Sequence, residues 1–208
     1  MNKLGKIFCL LIILVSGVFA QTQKDDYKRN EFFVGYINQQ VNDFKRESLN
    51  GFEVSAVRNV HRYLGIKGDF SAAFRKRNQP EIIKPFVSDP EKKITGDFDR
   101  SLFNILGGIQ IKNNASKSRF KPFAHALIGV AIEQNSAKNV VCTGNCDSFY
   151  SPLNNFTSNE VGLSRVFGGG LDVKVNEKIA FRAFQLDYNP VYKEGHLKNT
   201  RIGVGLVF

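Results

Sequence analysis

Apolar and polar positions alternate along most of the chain. Leu64, Ile66, Gly68, Phe70, Ala72 and Phe74 share one parity, and Gly65, Lys67, Asp69, Ser71 and Ala73 share the other. Phe167, Gly169, Leu171, Val173 and Val175 repeat the pattern against Gly168, Gly170, Asp172 and Lys174. Thr200, Ile202, Val204, Leu206 and Phe208 do so again against Arg201, Gly203, Gly205 and Val207. A period of two is the signature of a strand with two unlike faces. No stretch after residue 20 sustains a 3.6-residue period, so the chain reads as all-β. Eight strands are expected, at about Glu31–Val41, Gly51–Asn59, Leu64–Phe74, Arg100–Ile111, Lys121–Ile132, Val161–Val175, Lys178–Asn189 and Asn199–Phe208. Most have the roughly 9–11 residues that a bilayer crossing needs.

The connections alternate in length. Long polar segments follow the odd-numbered strands, and mostly short turns follow the even-numbered ones, as in transmembrane barrels. Facing decides the solvent. In a membrane barrel the aliphatic and aromatic parity meets lipid, while glycines and paired charges fill the lumen. Gly65, Gly168, Gly170, Gly203 and Gly205 all lie on the polar parity, where a narrow lumen needs small residues. The expected fold is therefore an eight-stranded antiparallel transmembrane up-and-down barrel.

Residues 1–20 read as a cleaved signal peptide. Lys3 and Lys6 precede the apolar run Ile7 to Val15, and Val18 and Ala20 fit a small-residue cleavage site. Residues 21–30 read as a flexible lead-in and 31–208 as the barrel domain. The formal charge is +10. Removing two lysines and no acid leaves 10 − 2 = +8. Of three cysteines, Cys9 leaves with the signal, so Cys142 and Cys146 would form one loop disulfide in an oxidising compartment. A zinc site would need two further ligands, and no His lies nearby in sequence.

Several stretches resemble the small OmpA-type, opacity-like outer-membrane β-barrel domain of Gram-negative bacteria. They are Asn50 to Ser55, Arg62 to Ser71, Pro122 to Val130, Phe167 to Val173 and Phe181 to Tyr188. The resemblance covers roughly residues 31–208. It implies a bacterial outer-membrane location with both termini periplasmic. It also implies a structural or surface-interaction, adhesin-like role through long extracellular loops. The partners implied are outer-membrane lipid and lipopolysaccharide, the barrel-assembly machinery, which would read the terminal Phe208, and an unknown surface ligand. A monomer is expected, with no cofactor, no catalytic residue, no metal site and no nucleic acid.

The alternatives are a narrow or gated channel, a lipid-modifying enzyme and a soluble lipocalin-like binder. His125 stands alone on its strand, without a Ser on its face, which disfavours the enzyme. Arg75, Lys76 and Arg77 would open the second loop and meet lipopolysaccharide phosphates. Alternatively they are solvated, beside Glu81, Asp89, Glu91, Asp97 and Asp99.

The lumen parities supply Glu53, Lys67, Asp69, Asp172, Lys174, Arg182, Asp187 and Arg201, four acids and four bases, with Gln185 among them. A matched network closing the lumen is expected, with the surplus positive charge in loops, turns and lead-in. Strict alternation cannot place Arg182, Gln185 and Asp187 on one face. A bulge near Ala183 is therefore expected.

Overall fold

A computed structural model describes residues 27–42, 46–77, 93–143, 156–192 and 196–208. Eight strands form one closed antiparallel barrel in sequence order: β1 (Asn30–Asn42), β2 (Arg46–Asn59), β3 (Leu64–Arg77), β4 (Lys93–Lys112), β5 (Phe120–Thr143), β6 (Phe156–Lys174), β7 (Ala180–Tyr192) and β8 (His196–Val207). The ring closes where β1 pairs with β8, from Phe33 opposite Val207 to Gln40 opposite Thr200. Phe208 lies just past β8, and its main-chain N–H and C=O bond those of Phe32 at 2.8 and 3.0 Å. Closure gives every strand a hydrogen-bonded neighbour on each side, a condition for residing in lipid.

Polarity is inverted relative to a water-soluble barrel. Lys67, Arg182, Arg201, Glu53, Asp69 and Asp187 are buried inside, while Phe32, Ile66, Ile105, Ile128, Phe167 and Leu186 are exposed outside. Only a solvent less polar than the interior accommodates that arrangement. The barrel is a transmembrane barrel, with the facing expected for β3, β6 and β8.

The apolar band has a sharp edge on the loop side. On β4 it ends between Phe103 and Ser101, on β5 between Ile132 and Gln134, and on β6 between Val161 and Asn159. These residues are level, because Phe103 pairs with Ile132 and Ile132 with Val161. Phe74 and Phe103 meet edge to face at 5.6 Å on this rim, and the Tyr36 hydroxyl donates to Asn50 Oδ1 at 2.6 Å. Such aromatic girdles belong at membrane–water interfaces.

Above the rim the strands continue. β4, β5 and β6 have 20, 24 and 19 residues, well beyond a bilayer crossing, and they form a paired ribbon outside the apolar band. This corrects the expected boundaries. Arg75, Lys76 and Arg77 lie in β3 and do not open a loop. Arg75 points inward to Glu47, and Lys76 is exposed above the band.

The bulge lies at Ala183. Leu171 pairs with Phe184 but Asp172 with Arg182, and on the other side Arg182 pairs with Gly205 but Gln185 with Gly203. The extra residue turns Arg182, Gln185 and Asp187 inward, and leaves Phe181, Phe184, Leu186 and Tyr188 outside.

The expected signal peptide, residues 1–20, and the expected lead-in up to residue 26 lie outside the described residues. Residues 28 and 29 are tied down, since the Lys28 and Arg29 carbonyls accept bonds from the Asn59 side chain and main chain at 2.7 Å each. The main chain of Cys142 belongs to the last residues of β5, opposite Ile94, but its side chain and Cys146 lie outside the described residues.

Candidate functional site

The lumen holds a buried network of charged and amide side chains. Its middle is built from alternate residues of β2, β3, β5, β6, β7 and β8. Arg201 on β8 reaches Asp187 on the adjacent β7 at 2.8 Å, and crosses the lumen to Asp69 at 3.1 Å and Glu53 at 3.6 Å. Lys67 lies 3.4 Å from Glu53 and 3.3 Å from Asp69. Gln185 links the two halves: its amide nitrogen donates to Glu53 at 2.9 Å and to Asp187 at 2.8 Å, and its oxygen accepts from Arg182 at 2.7 Å. Arg182 also donates to Asp172 at 2.8 Å. Its guanidinium carbon sits 4.2 Å from the centre of the Phe33 ring and 4.1 Å from that of Phe123, a desolvated cation between two aromatic faces.

Two glycines make this packing possible. Gly168 lies between His125 and Asp187 on neighbouring strands. A β-carbon there would stand 1.9 Å from the Asp187 carboxylate. Its absence lets His125 Nε2 reach Asp187 Oδ1 at 2.9 Å. A β-carbon at Gly170 would meet the Phe123 ring at 3.0 Å, the ring that stacks on Arg182.

His125 is buried, and both ring nitrogens are engaged. Nδ1 lies 3.4 Å from the Lys67 ammonium, a pure donor, so Nδ1 accepts and Nε2–H donates to Asp187. The ring is a tie within the network rather than an accessible base.

Toward the loop side the charges give way to neutral groups. A hydrogen-bonded chain crosses the lumen from Ser71 through Asn104, Ser164 and Asn189 to Gln39, with links of 3.2, 3.3, 2.8 and 2.8 Å. An inward-facing apolar cluster follows, with Ile37, Val41, Leu49, Leu102 and Val191 among its members. At the loop-side mouth Glu47 pairs with Arg75 and Arg100, and Arg100 reaches Glu133 at 2.6 Å.

The turn-side mouth differs. Lys112 extends inward from the end of β4 to Glu31 and Asp172. Around it a cavity of about 690 Å³ opens among Tyr27, the turn between β4 and β5 and the turn between β6 and β7. Lys174, expected in the lumen network, instead sits partly exposed on this rim and pairs with Glu177 in the adjoining turn at 2.6 Å. The register runs out there: Lys174 is the last residue of β6 and has no layer above it to bury it. Burial pushes the Lys28 ammonium below its usual range; Glu31 pulls it back up and Lys112 pushes it further down. The hydrogen bond from Lys174 and its charge hold the Glu177 carboxyl below its usual range.

The structure thus brings together Glu53, Lys67, Asp69, Asp172, Arg182, Gln185, Asp187 and Arg201 from the expected network. It adds Glu31, Lys112 and His125, which sequence reasoning did not include. One further basic residue was missed. Arg165 on β6 faces outward within the apolar band, and its guanidinium covers the Tyr192 ring at 4.9 Å. A long stem lets such a head group reach the polar boundary.

The architecture and the polarity of its faces define an eight-stranded transmembrane β-barrel, the fold implied by the resemblance to small OmpA-type barrels. Three solved structures overlay on it. The attachment invasion locus protein Ail of Yersinia pestis has 15% identity and a TM-score of 0.49, over 86% of this chain and 97% of that one. Neisserial surface protein A has 11% identity and a TM-score of 0.49, over 86% and 96%. The N-terminal barrel domain of Pseudomonas aeruginosa OprF has 12% identity and a TM-score of 0.41, over 88% and 99%. At these identities and scores the likeness says nothing of any residue's role. No protein-family model and no curated protein sequence matches the chain.

Proposed function

We propose that the chain is a non-enzymatic barrel of a bacterial outer membrane that presents its loop-side ribbon to the outside, in a structural or surface-interaction role. Eight is an even number of strands, so both ends of the barrel emerge on the turn side, which this reading places in the periplasm. The observation that carries the role is the ribbon itself. β4, β5 and β6 rise as a paired ladder beyond the lipid band, and their outer face changes from Ile, Val and Phe to Ser101, Gln134, Ser136, Lys138 and Thr157. These side chains and Lys76 line a shallow depression of about 280 Å³. A polar, hydrogen-bonded platform of this kind suits contact with a partner or with lipopolysaccharide sugars and phosphates. Of the expected basic trio, Lys76 lines that depression with an exposed side chain.

A channel is the second reading, and the filled lumen opposes it. Phe208 serves assembly in this account, as the aromatic that ends the closing strand and is offered to the barrel-assembly machinery. Deleting it lowers insertion in cells and leaves refolding in detergent largely intact.

The test uses an epitope inserted after Asn139, a ribbon residue with a left-handed backbone (φ 52°), and a second epitope after Glu177. Antibody should label intact cells at the first site and only permeabilised cells at the second. In cells lacking the chain, a version with the ribbon trimmed to the band should restore envelope integrity if the role is structural. It should fail to restore adhesion if the role is surface contact. Labelling of the Glu177 site on intact cells would overturn the orientation.

A further inference from the structure

The turn-side mouth carries charge that the barrel does not use. Lys28, Lys112, Lys117, Lys121, Lys174 and Lys178 line its cavity, against the three acids Glu31, Asp172 and Glu177. Six minus three leaves a surplus of three positive charges. The acids are already committed: Glu31 and Asp172 hold Lys112, and Glu177 holds Lys174. Lys28 donates to the Lys178 carbonyl at 3.2 Å, and Lys121 to the Asn114 carbonyl at 3.1 Å. Neither makes an ion pair among the described residues.

A second, independent observation comes from Asn114. It lines the same cavity and is only 6% exposed. Neither its Nδ2 nor its Oδ1 has a hydrogen-bond partner. A buried amide without a partner is costly unless something absent from the bare chain satisfies it. Surface lysines alone would be a solvated patch; lysines around an unsatisfied buried donor are a site.

We propose that this vestibule binds a phosphate group. Ammonium ions act as strong donors without a preferred plane, and they line this cavity from the lead-in, from the strand ends and from two turns. Phosphate supplies more than one negative charge and several acceptor oxygens, enough to engage Lys28, Lys121 and the Asn114 amide together. A single carboxylate would offset one charge of the surplus. Two sources share this chemistry: the phosphate of a lipid headgroup in the adjoining leaflet, and a soluble phosphate compound. The cavity is large enough for either. The site does not depend on what the loop-side ribbon contacts, and its failure would leave that reading standing.

The experiment titrates inorganic pyrophosphate into the full chain in zwitterionic detergent at low salt, by calorimetry. Folding of each variant is checked by the gel shift between heated and unheated samples. One saturable site is expected. The double variant Lys28→Gln with Lys121→Gln weakens it at least tenfold, and Asn114→Leu, which keeps the shape but removes the donor, weakens it severalfold. Lys76→Gln with Lys138→Gln, at the opposite end, leaves it unchanged. In nanodiscs, loss of the pyrophosphate site on replacing phosphatidylcholine by phosphatidylglycerol identifies a headgroup as the occupant. Retention in both identifies a soluble phosphate. No saturable binding, equal weakening by the two lysine pairs, or unchanged binding in Asn114→Leu overturns the proposal.

Discussion

The middle of the lumen and its turn-side mouth contain similar groups arranged to opposite effect. In the middle, Arg201, Lys67 and Arg182 each lie within 4 Å of at least one carboxylate, and Gln185 bonds both signs. At the mouth, a cavity of about 690 Å³ is lined by lysines of which Lys28 and Lys121 make no ion pair among the described residues. The difference follows from the cost of desolvation. A charge sealed from water must be paired, whereas one at an open rim keeps its hydration. Matched charge therefore closes the barrel, and unmatched charge is free to meet something else. The chain's overall positive charge is consistent with this division: it accumulates where water reaches.

The sharpest way to break the contrast is to unmatch the middle. Arg201→Met removes one cationic partner from each of Asp187, Asp69 and Glu53 at once. Loss of one member of a buried pair typically costs about 3–5 kcal/mol. The urea midpoint for unfolding from lipid vesicles should fall accordingly. Combining Arg201→Met with Asp187→Leu should recover part of the loss, because fewer carboxylates are then left unpaired.

Deleting Ala183 is the next largest change. Without the bulge, either Arg182 or the pair Gln185 and Asp187 must turn toward lipid. A basic side chain there costs roughly 2–4 kcal/mol near the midplane. Refolding yield and midpoint should both drop, whereas Ala183→Ser, which keeps the extra residue, should leave both near wild type.

Gly168→Ala forces a β-carbon into the space of the Asp187 carboxylate. Overpacking of this kind costs about 1–3 kcal/mol. The change should also displace His125 from Asp187, seen as a shift of the His125 ring resonances.

The smallest effect belongs to the mouth. Lys28→Gln with Lys121→Gln should move the unfolding midpoint by no more than about 0.5 kcal/mol, the range of ordinary surface changes. A loss as large as that of Arg201→Met would erase the distinction between the two regions.

The strands most readily legible in the sequence were those with a small or charged lumen face. On β3 and β6, Gly65, Lys67, Asp69, Gly168 and Asp172 contrast with Ile66, Phe70, Phe167 and Leu171, so facing could be read directly. The conflict among Arg182, Gln185 and Asp187 even located the bulge. On β1 and β5 the inward residues include Phe33, Ile37, Val41, Phe123, Leu127 and Ala131. Both faces there are apolar, the alternation fades, and Glu31 and His125 lose the context that would mark them as lumen residues.

The ribbon was illegible for the converse reason. Beyond the lipid both faces are polar, so Asp97 to Arg100, Gln134 to Ser136 and Thr157 to Glu160 resemble loop. Lys112 was hidden by its position at a strand end, although it continues the parity of Gln110. The apolar layer in the loop-side lumen had no sequence signal distinct from a lipid face, and only strand pairing shows that Leu102, Leu49 and Ile37 meet inside. That layer adds to the seal, so closure does not rest on charge alone.

Single-channel recording of the purified chain in planar bilayers tests closure most directly. Paired charges, the belt from Ser71 to Gln39 and the apolar layer together leave no continuous water path in this account. The wild-type barrel should therefore show no steady conductance above the bare membrane at moderate voltage. A stable conductance in the nanosiemens range, reproducible between insertions, would contradict it.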